Sequence, residues 1–199
     1  MKLSDLFEDD SESLEDAIKL CQPYLSMPGA KTGLLWRGVN TEDDRFQRDE
    51  QDDGTVISWG IFNRRNYRQP KSTPLEYSEA MDEVFKKEFG WKPRQQGVFV
   101  TGSRGHASGY GKEYVCVPIG PTRFVWSGNV EDLFIICQNF RERQGDSVEK
   151  FKKFLLTLDY IDTDLSRAIK SHHEIMLDCD SYLLLYTNDR SKIKTLLGM

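Results

Sequence analysis

Hydrophobic positions along the chain fall into two rhythms, one helical and one strand-like. In residues 1–30, Leu3, Leu6, Phe7, Leu14, Ala17, Ile18 and Cys21 recur at roughly helical intervals until Pro23 and then Pro28-Gly29 interrupt them. That spacing predicts one or two short helices followed by a turn. "TGLLWRGV" (32–39) is a short apolar run ending in an arginine and a glycine, as expected of a buried strand whose end opens onto a cleft. The stretch TEDDRFQRDEQDDG (41–54) is mostly charge and reads as an exposed loop, and VISWGIF (56–62) reads as the next strand.

The clearest helix follows. Thr73 is the expected N-cap, Pro74 suits the first helical position, and Glu76 completes a capping box. Tyr77, Ala80, Met81, Val84, Phe85 and Phe89 share one face, and Gly90 supplies a stop. GVFVTGS, EYVCVPIG and TRFVWSG, punctuated by glycine and proline, predict a succession of strands. Between about 130 and 170 the rhythm is helical again, with Val148, Phe151, Phe154, Leu155 and Leu158 at core spacing. EIML and SYLLLYT, separated by "DCD", predict a β-hairpin. The expected class is α+β: a helical region over 1–30 ahead of one domain over 31–199.

Composition narrows the function classes. With 199 residues, 38% of them hydrophobic, the chain can bury one core. Its formal charge of -5 means that the molecule as a whole does not attract polyanions. The one local reversal is NRRNYRQPK (63–71), where Arg64, Arg65, Arg68 and Lys71 surround Tyr67. Such a run is ordinarily a solvated surface; its functional alternatives are phosphate, nucleic acid or an acidic protein face. Cys21, Cys116, Cys137 and Cys179 form no CxxC pair, which argues against a zinc or thioredoxin-type site and fits reduced thiols in a cytosolic protein. The acidic start MKLSDLFEDDSESLED lacks a basic n-region and an apolar core, and no stretch approaches membrane-spanning length; a soluble cytoplasmic protein without a membrane partner is expected. No GxxxxGK[ST], GxSxG or HExxH motif is present, and Gly102, Gly105 and Gly109 do not match a dinucleotide fingerprint. No metal site is expected.

Three separated pieces remain: Arg37 in "LLWRG", the turn in "GVFVTGSRGHASGYG" (97–111), and Glu174 in "HHEIML". Singly, each has an ordinary explanation as a salt-bridge arginine, a turn or a solvated glutamate. In this order, they resemble the ADP-ribosyltransferase superfamily, in the branch of cholera-type toxins and bacteriophage enzymes. There an arginine on the first strand, a Ser-Thr-Ser turn on a middle strand and a glutamate opening a late strand follow one another. The resemblance covers roughly residues 32–187. It implies a split, mixed β-sheet core with flanking helices, and NAD as co-substrate in the cleft between the half-sheets. Arg37 then matches the arginine, and Gly38 the residue whose backbone clasps the nicotinamide amide. Thr101 and Ser103 match the outer positions of the turn, with Gly102 in place of the central threonine. "HASGYG" is similar to the helix start that follows that turn, Tyr110 is a candidate to stack on nicotinamide, and Glu174 matches the catalytic glutamate.

The chemistry explains the residue types. Breaking the bond to a cationic nicotinamide puts oxocarbenium character on the ribose, which a fixed carboxylate stabilises without reorganising. Arginine pairs bidentately with a diphosphate, and small residues let the backbone approach it. Arg104 and His106 stand beside the expected cleft as aids to the phosphates. One departure concerns the acceptor. Two positions before the glutamate, transferases that modify arginine, asparagine or guanine carry Glu or Gln, and here His172 stands; it is either a general base or hydrogen-bonding group toward the acceptor, or a surface histidine. The acceptor is a protein or a nucleic acid, undecided. The compact size and acidic start also resemble small phage-encoded proteins, which implies the host cytoplasm. Two alternatives stand beside the transferase: a non-catalytic binding, viral structural or defence-inhibiting module on the same fold, and an NAD glycohydrolase.

Overall fold

The computed structural model describes residues 13–40, 46–65, 67–70 and 72–199. Helix α1 (Leu14–Leu20) starts at Ser13, whose hydroxyl accepts the Asp16 N–H at 3.2 Å, and α2 (Gln22–Leu25) follows with Pro23 in its first turn. Leu3, Leu6 and Phe7 lie outside the described residues. Strands β1 (Trp36–Val39), β2 (Gln47–Glu50) and β3 (Val56–Asn63) come next. Part of the charged stretch expected to be a loop is thus a strand: β2 pairs along its whole length with β3 as an edge, where charged side chains face solvent on an exposed rim.

Helix α3 (Leu75–Phe89) buries Tyr77, Ala80, Met81 and Phe85 and ends at Gly90 with φ 80. It begins one residue later than the predicted capping box, because Pro74 has ψ 141 and is still extended. Thr73 is buried there and does not cap. Then follow α4 (Pro93–Gln96), β4 (Val98–Thr101), α5 (Arg104–Ser108), β5 (Lys112–Ile119), β6 (Arg123–Ser127), α6 (Leu133–Gln144), α7 (Val148–Leu155), β7 (Tyr160–Ile161), α8 (Leu165–Ser171), β8 (Glu174–Asp178), β9 (Ser181–Tyr186) and α9 (Arg190–Leu196).

The class is mixed α+β, with a nine-stranded sheet in the order β2-β3-β9-β5-β1-β4-β8-β6-β7. Every pairing is antiparallel, where a mixed sheet was expected. The expected β8–β9 hairpin does not form either: β8 pairs with β4 and β6, and β9 with β3 and β5. A two-residue hairpin needs positive φ in its turn. Neither linking residue, Cys179 or Asp180, has it, and Cys179 is buried in the core. The link carries the chain from one side of the sheet's centre to the other.

That centre is a seam. Strands β1 and β4 are joined only at Trp36↔Thr101, whereas β1–β5 and β4–β8 each pair at four positions. Alternation along β8 explains its unbroken apolar run. Met176, aligned with Val125 and Phe99, faces a core made with α3, α6 and α7, while Ile175 and Leu177 face a second core shared with α1, α2, α8 and α9. All four cysteines are free and buried, and burial pushes the Cys116 thiol up to about 12. Among the described residues no helix is long and apolar enough to cross a membrane.

Candidate functional site

The three sequence-selected pieces meet at the seam. Strands β1, β4 and β8 are consecutive in the sheet, and the row Trp36↔Thr101↔Glu174 aligns the start of β1, the end of β4 and the start of β8. Arg37 follows Trp36, the turn follows Thr101, and Glu174 opens β8, so all three lie at one end of neighbouring strands. At about 4.8 Å per strand, Arg37 and Glu174 belong to strands roughly 10 Å apart.

Glu174 is held from both sides. Its backbone N–H donates to the Glu131 carbonyl at 2.9 Å, and its Oε1 is sealed from solvent with no hydrogen-bond partner, although the side chain as a whole is 18% exposed. Among the described residues the cation within 4 Å of that oxygen is Arg94, whose Nη1 lies 3.8 Å away. Burial pushes the carboxyl up to about 7; Arg94 and Arg68 pull it down, Asp132 pushes it further up, and the Leu133 backbone N–H pulls it down. The group therefore changes charge near neutrality, and a cationic centre placed beside it would favour the carboxylate.

Two arginines, Arg94 and Arg68, act on this carboxylate, and a third, Arg37, acts on Arg68. Arg37 Nη1 donates to the Phe99 carbonyl at 2.8 Å, a side-chain staple across the seam, while its Nε is buried without a partner. The guanidinium of Arg68 lies 4.4 Å from the Phe99 ring centre and that of Arg94 lies 4.9 Å from it. Desolvation, and then the like charges of Arg94 and Arg37, push Arg68 down to about 10. The basic segment thus divides. Arg64 is bound to Asp178 and Asp180, Arg65 and Tyr67 face solvent, and Arg68 reaches the site with its backbone N–H on the Gln95 carbonyl at 3.0 Å. Lys71 lies outside the described residues.

The Thr-Gly-Ser turn is occupied by its own architecture. The Thr101 hydroxyl donates to the His172 carbonyl at 2.6 Å and accepts the Ser103 N–H at 3.1 Å; Ser103 caps α5 by accepting the His106 N–H at 3.2 Å. A Cβ on Gly102 would stand 1.7 Å from the Ile169 carbonyl oxygen, so α8 leaves no space for a side chain there. Gly38 is equally constrained: its Cβ would meet the Ala107 carbonyl at 2.1 Å and Tyr110 Cβ at 2.8 Å, which is why α5 packs directly on β1. Tyr110 is 58% exposed, with its hydroxyl donating to Asp132, the N-cap of α6. Burial first, then that bond and the charges of Asp132 and Glu174, push the phenol up. His172 is exposed at the end of α8 with φ 64, and it is its carbonyl that carries contacts, from Thr101 and from His106 Nδ1 at 3.0 Å. His106 also places Nε2 3.0 Å from Glu131, and Arg104 is paired with Glu113 beside Trp36.

No protein-family model, curated protein or solved structure matches the chain. The site's chemistry therefore rests on its own residues. Its elements are one carboxylate near neutrality, three guanidiniums, two sealed polar atoms without partners, and an exposed tyrosine at the rim. Arg94, Phe99 and Asp132 were not singled out from the sequence. Arg94 sits in "WKPRQQG" with no motif around it, whereas Asp132, an N-cap ahead of "LFII", carried a readable signal. An open groove of about 560 Å³ along α3 and α4, lined by Glu79, Asp82, Glu83, Lys86, Lys87, Lys92 and Gln95, holds none of the selected residues. No group of three or more His, Cys, Asp or Glu able to hold a metal ion occurs among the described residues.

Proposed function

We propose that the protein is a mono-ADP-ribosyltransferase on an ADP-ribosyltransferase-like fold, which cleaves NAD at the nicotinamide–ribose bond and transfers ADP-ribose to a protein or nucleic-acid acceptor. The observation that carries this reading is that an arginine, a small-residue turn and a glutamate, scattered over more than 130 positions between Arg37 and Glu174, lie on three adjacent strands at one end. In the reaction the nicotinamide leaves with the electron pair of the glycosidic bond, the acceptor's nucleophile bonds to the same ribose carbon, and the acceptor loses a proton. Glu174 as a carboxylate stabilises the cationic ribose, and the guanidiniums hold the diphosphate. The orphaned Arg37 Nε and Glu174 Oε1 suit a polar ligand that completes their bonding.

One set of observations favours the alternative of a non-catalytic binding module. The hydroxyls of Thr101 and Ser103 are already used internally, and Gly102 has no space for the threonine of the resembling family. Nicotinamide release from NAD, measured with and without bacterial lysate beside Glu174→Gln, separates the readings. Release that needs Glu174 and rises with lysate supports transfer; equal release with and without lysate supports glycohydrolysis; no release under any condition sinks the enzyme reading.

A further inference from the structure

Nothing in the sequence marks Arg94 for function, and Arg68 stands out there only as a member of the basic segment. Arg94 is the more unusual. Its side chain is 10% exposed, yet its nearest charged group is Glu174 Oε1 at 3.8 Å, beyond hydrogen-bond reach, and its other neighbour is the Phe99 ring. A guanidinium carries five donors; among the described residues none of those of Arg94 makes a side-chain hydrogen bond or an ion pair closer than 3.8 Å, which leaves them for an acceptor from outside. Arg37 repeats the pattern, with one donor on the Phe99 carbonyl and its Nε sealed and unpartnered.

The nearby acids do not complete these groups. Asp82 is engaged by the Arg94 backbone N–H at 2.7 Å, and Asp132 by the Tyr110 hydroxyl and the Phe134 and Ile135 N–H groups of α6. Among the described residues Glu174 is the one acid within 4 Å of these guanidiniums; Asp82 and Asp132 add negative charge nearby but hydrogen-bond none of them. We infer that Arg37, Arg68 and Arg94 form one anion site for a diphosphate group, with Phe99 as the platform that spaces Arg68 from Arg94. Rigid, bidentate guanidiniums suit such an ion better than lysines would. The segment carrying Arg68 is moored at both ends, by Arg64 on Asp178 and by the Arg68 N–H on Gln95, so the strap delivers its charge to one place. The choice of a diphosphate rests on the dinucleotide reading above; the anion site does not.

Calorimetric titration of the full chain with inorganic pyrophosphate, at about 0.15 M salt to screen diffuse charge, tests the inference. Arg68→Ala changes an exposed segment and leaves the core intact; Arg94→Gln removes the buried charge; Arg143→Ala, on the exposed end of α6, removes the same charge elsewhere. Saturable binding is expected, weakened about tenfold or more in the first two variants and within about twofold of wild type in the third. No saturable binding, or equal weakening in all three variants, overturns the site. Pyrophosphate binding with no nicotinamide release leaves the anion site standing and removes the transferase. Release with an unchanged KM for NAD in Arg68→Ala does the reverse.

Discussion

Replacing Glu174 by glutamine should make the protein more stable at alkaline pH, by an amount that depends on pH in a defined way. The carboxyl is displaced from 4.5 to about 7 by burial. Below pH 4.5 it is protonated both folded and unfolded and contributes nothing to the pH dependence. As pH rises from 4.5 to 7 the unfolded chain ionises while the folded one resists, so stability is lost across that window and levels off above it. At 1.36 kcal/mol for each tenfold change, the displacement amounts to roughly 3 kcal/mol. Glutamine removes the titration, and the carboxylate's attraction to Arg94 is already contained in the displacement, so that figure is the net pH-dependent difference. For a chain of 199 residues, with an unfolding entropy of about 2.1 cal/mol/K per residue, 3 kcal/mol is about 7 °C in Tm. Urea unfolding of both proteins at pH 4, 5, 6, 7 and 8 reads it directly. The difference between them should open from pH 4.5 and plateau near 8. A difference that is flat with pH would show that Glu174 ionises freely, and the account of its burial would fall. A buried carboxylate that costs stability at neutral pH is the pattern expected of a functional group.

Two further substitutions test the turn. Gly102→Ala drives a methyl to 1.7 Å from the Ile169 carbonyl, so α8 must shift; a loss of about 2–3 kcal/mol is expected, and a Tm within 1 °C of wild type would refute the close approach. Thr101→Val keeps the shape and removes two hydrogen bonds, to the His172 carbonyl and from the Ser103 N–H. It should cost about 2 kcal/mol in urea unfolding and, because the Ser103 N–H loses its acceptor, speed amide exchange at Ser103; unchanged exchange would show that this bond does not hold the turn.

Much of the fold was legible because local rules decided it. Gly90 ends α3, the stripe from Tyr77 to Phe85 faces a core, and the apolar runs over 98–101, 112–119 and 123–127 are strands. What was illegible was long-range. An alternating charged strand such as β2 resembles a loop until an edge is available to hold it, and "EIMLDCDSYLLLY" resembles a hairpin until the φ values of Cys179 and Asp180 are known. The site divides in the same way. Arg37, Thr101 and Glu174 were readable as an ordered set, but only the sheet order makes them neighbours. Their hydroxyl partners, the steric demand at Gly102 and the part played by Arg94 depend on where α8 and α4 pack, which no spacing in the sequence encodes.

The seam between β1 and β4 has a mechanical consequence. Strands β2, β3, β9, β5 and β1 lie on one side of it and β4, β8, β6 and β7 on the other, and the chain passes across at β3→β4, β4→β5, β5→β6 and β8→β9. Beyond one backbone bridge the two halves are joined by the Arg37–Phe99 bond and by a core that runs under both, and the four crossings of the chain limit them to shear. Neither half is continuous in sequence, so pairing within each half brings together residues far apart in the chain, the kind of contact that slows folding. Since Arg37 belongs to one half and Glu174 to the other, any sliding along that line changes the span between guanidinium and carboxylate, and the width of the gap between them becomes a property of how the whole sheet is sewn.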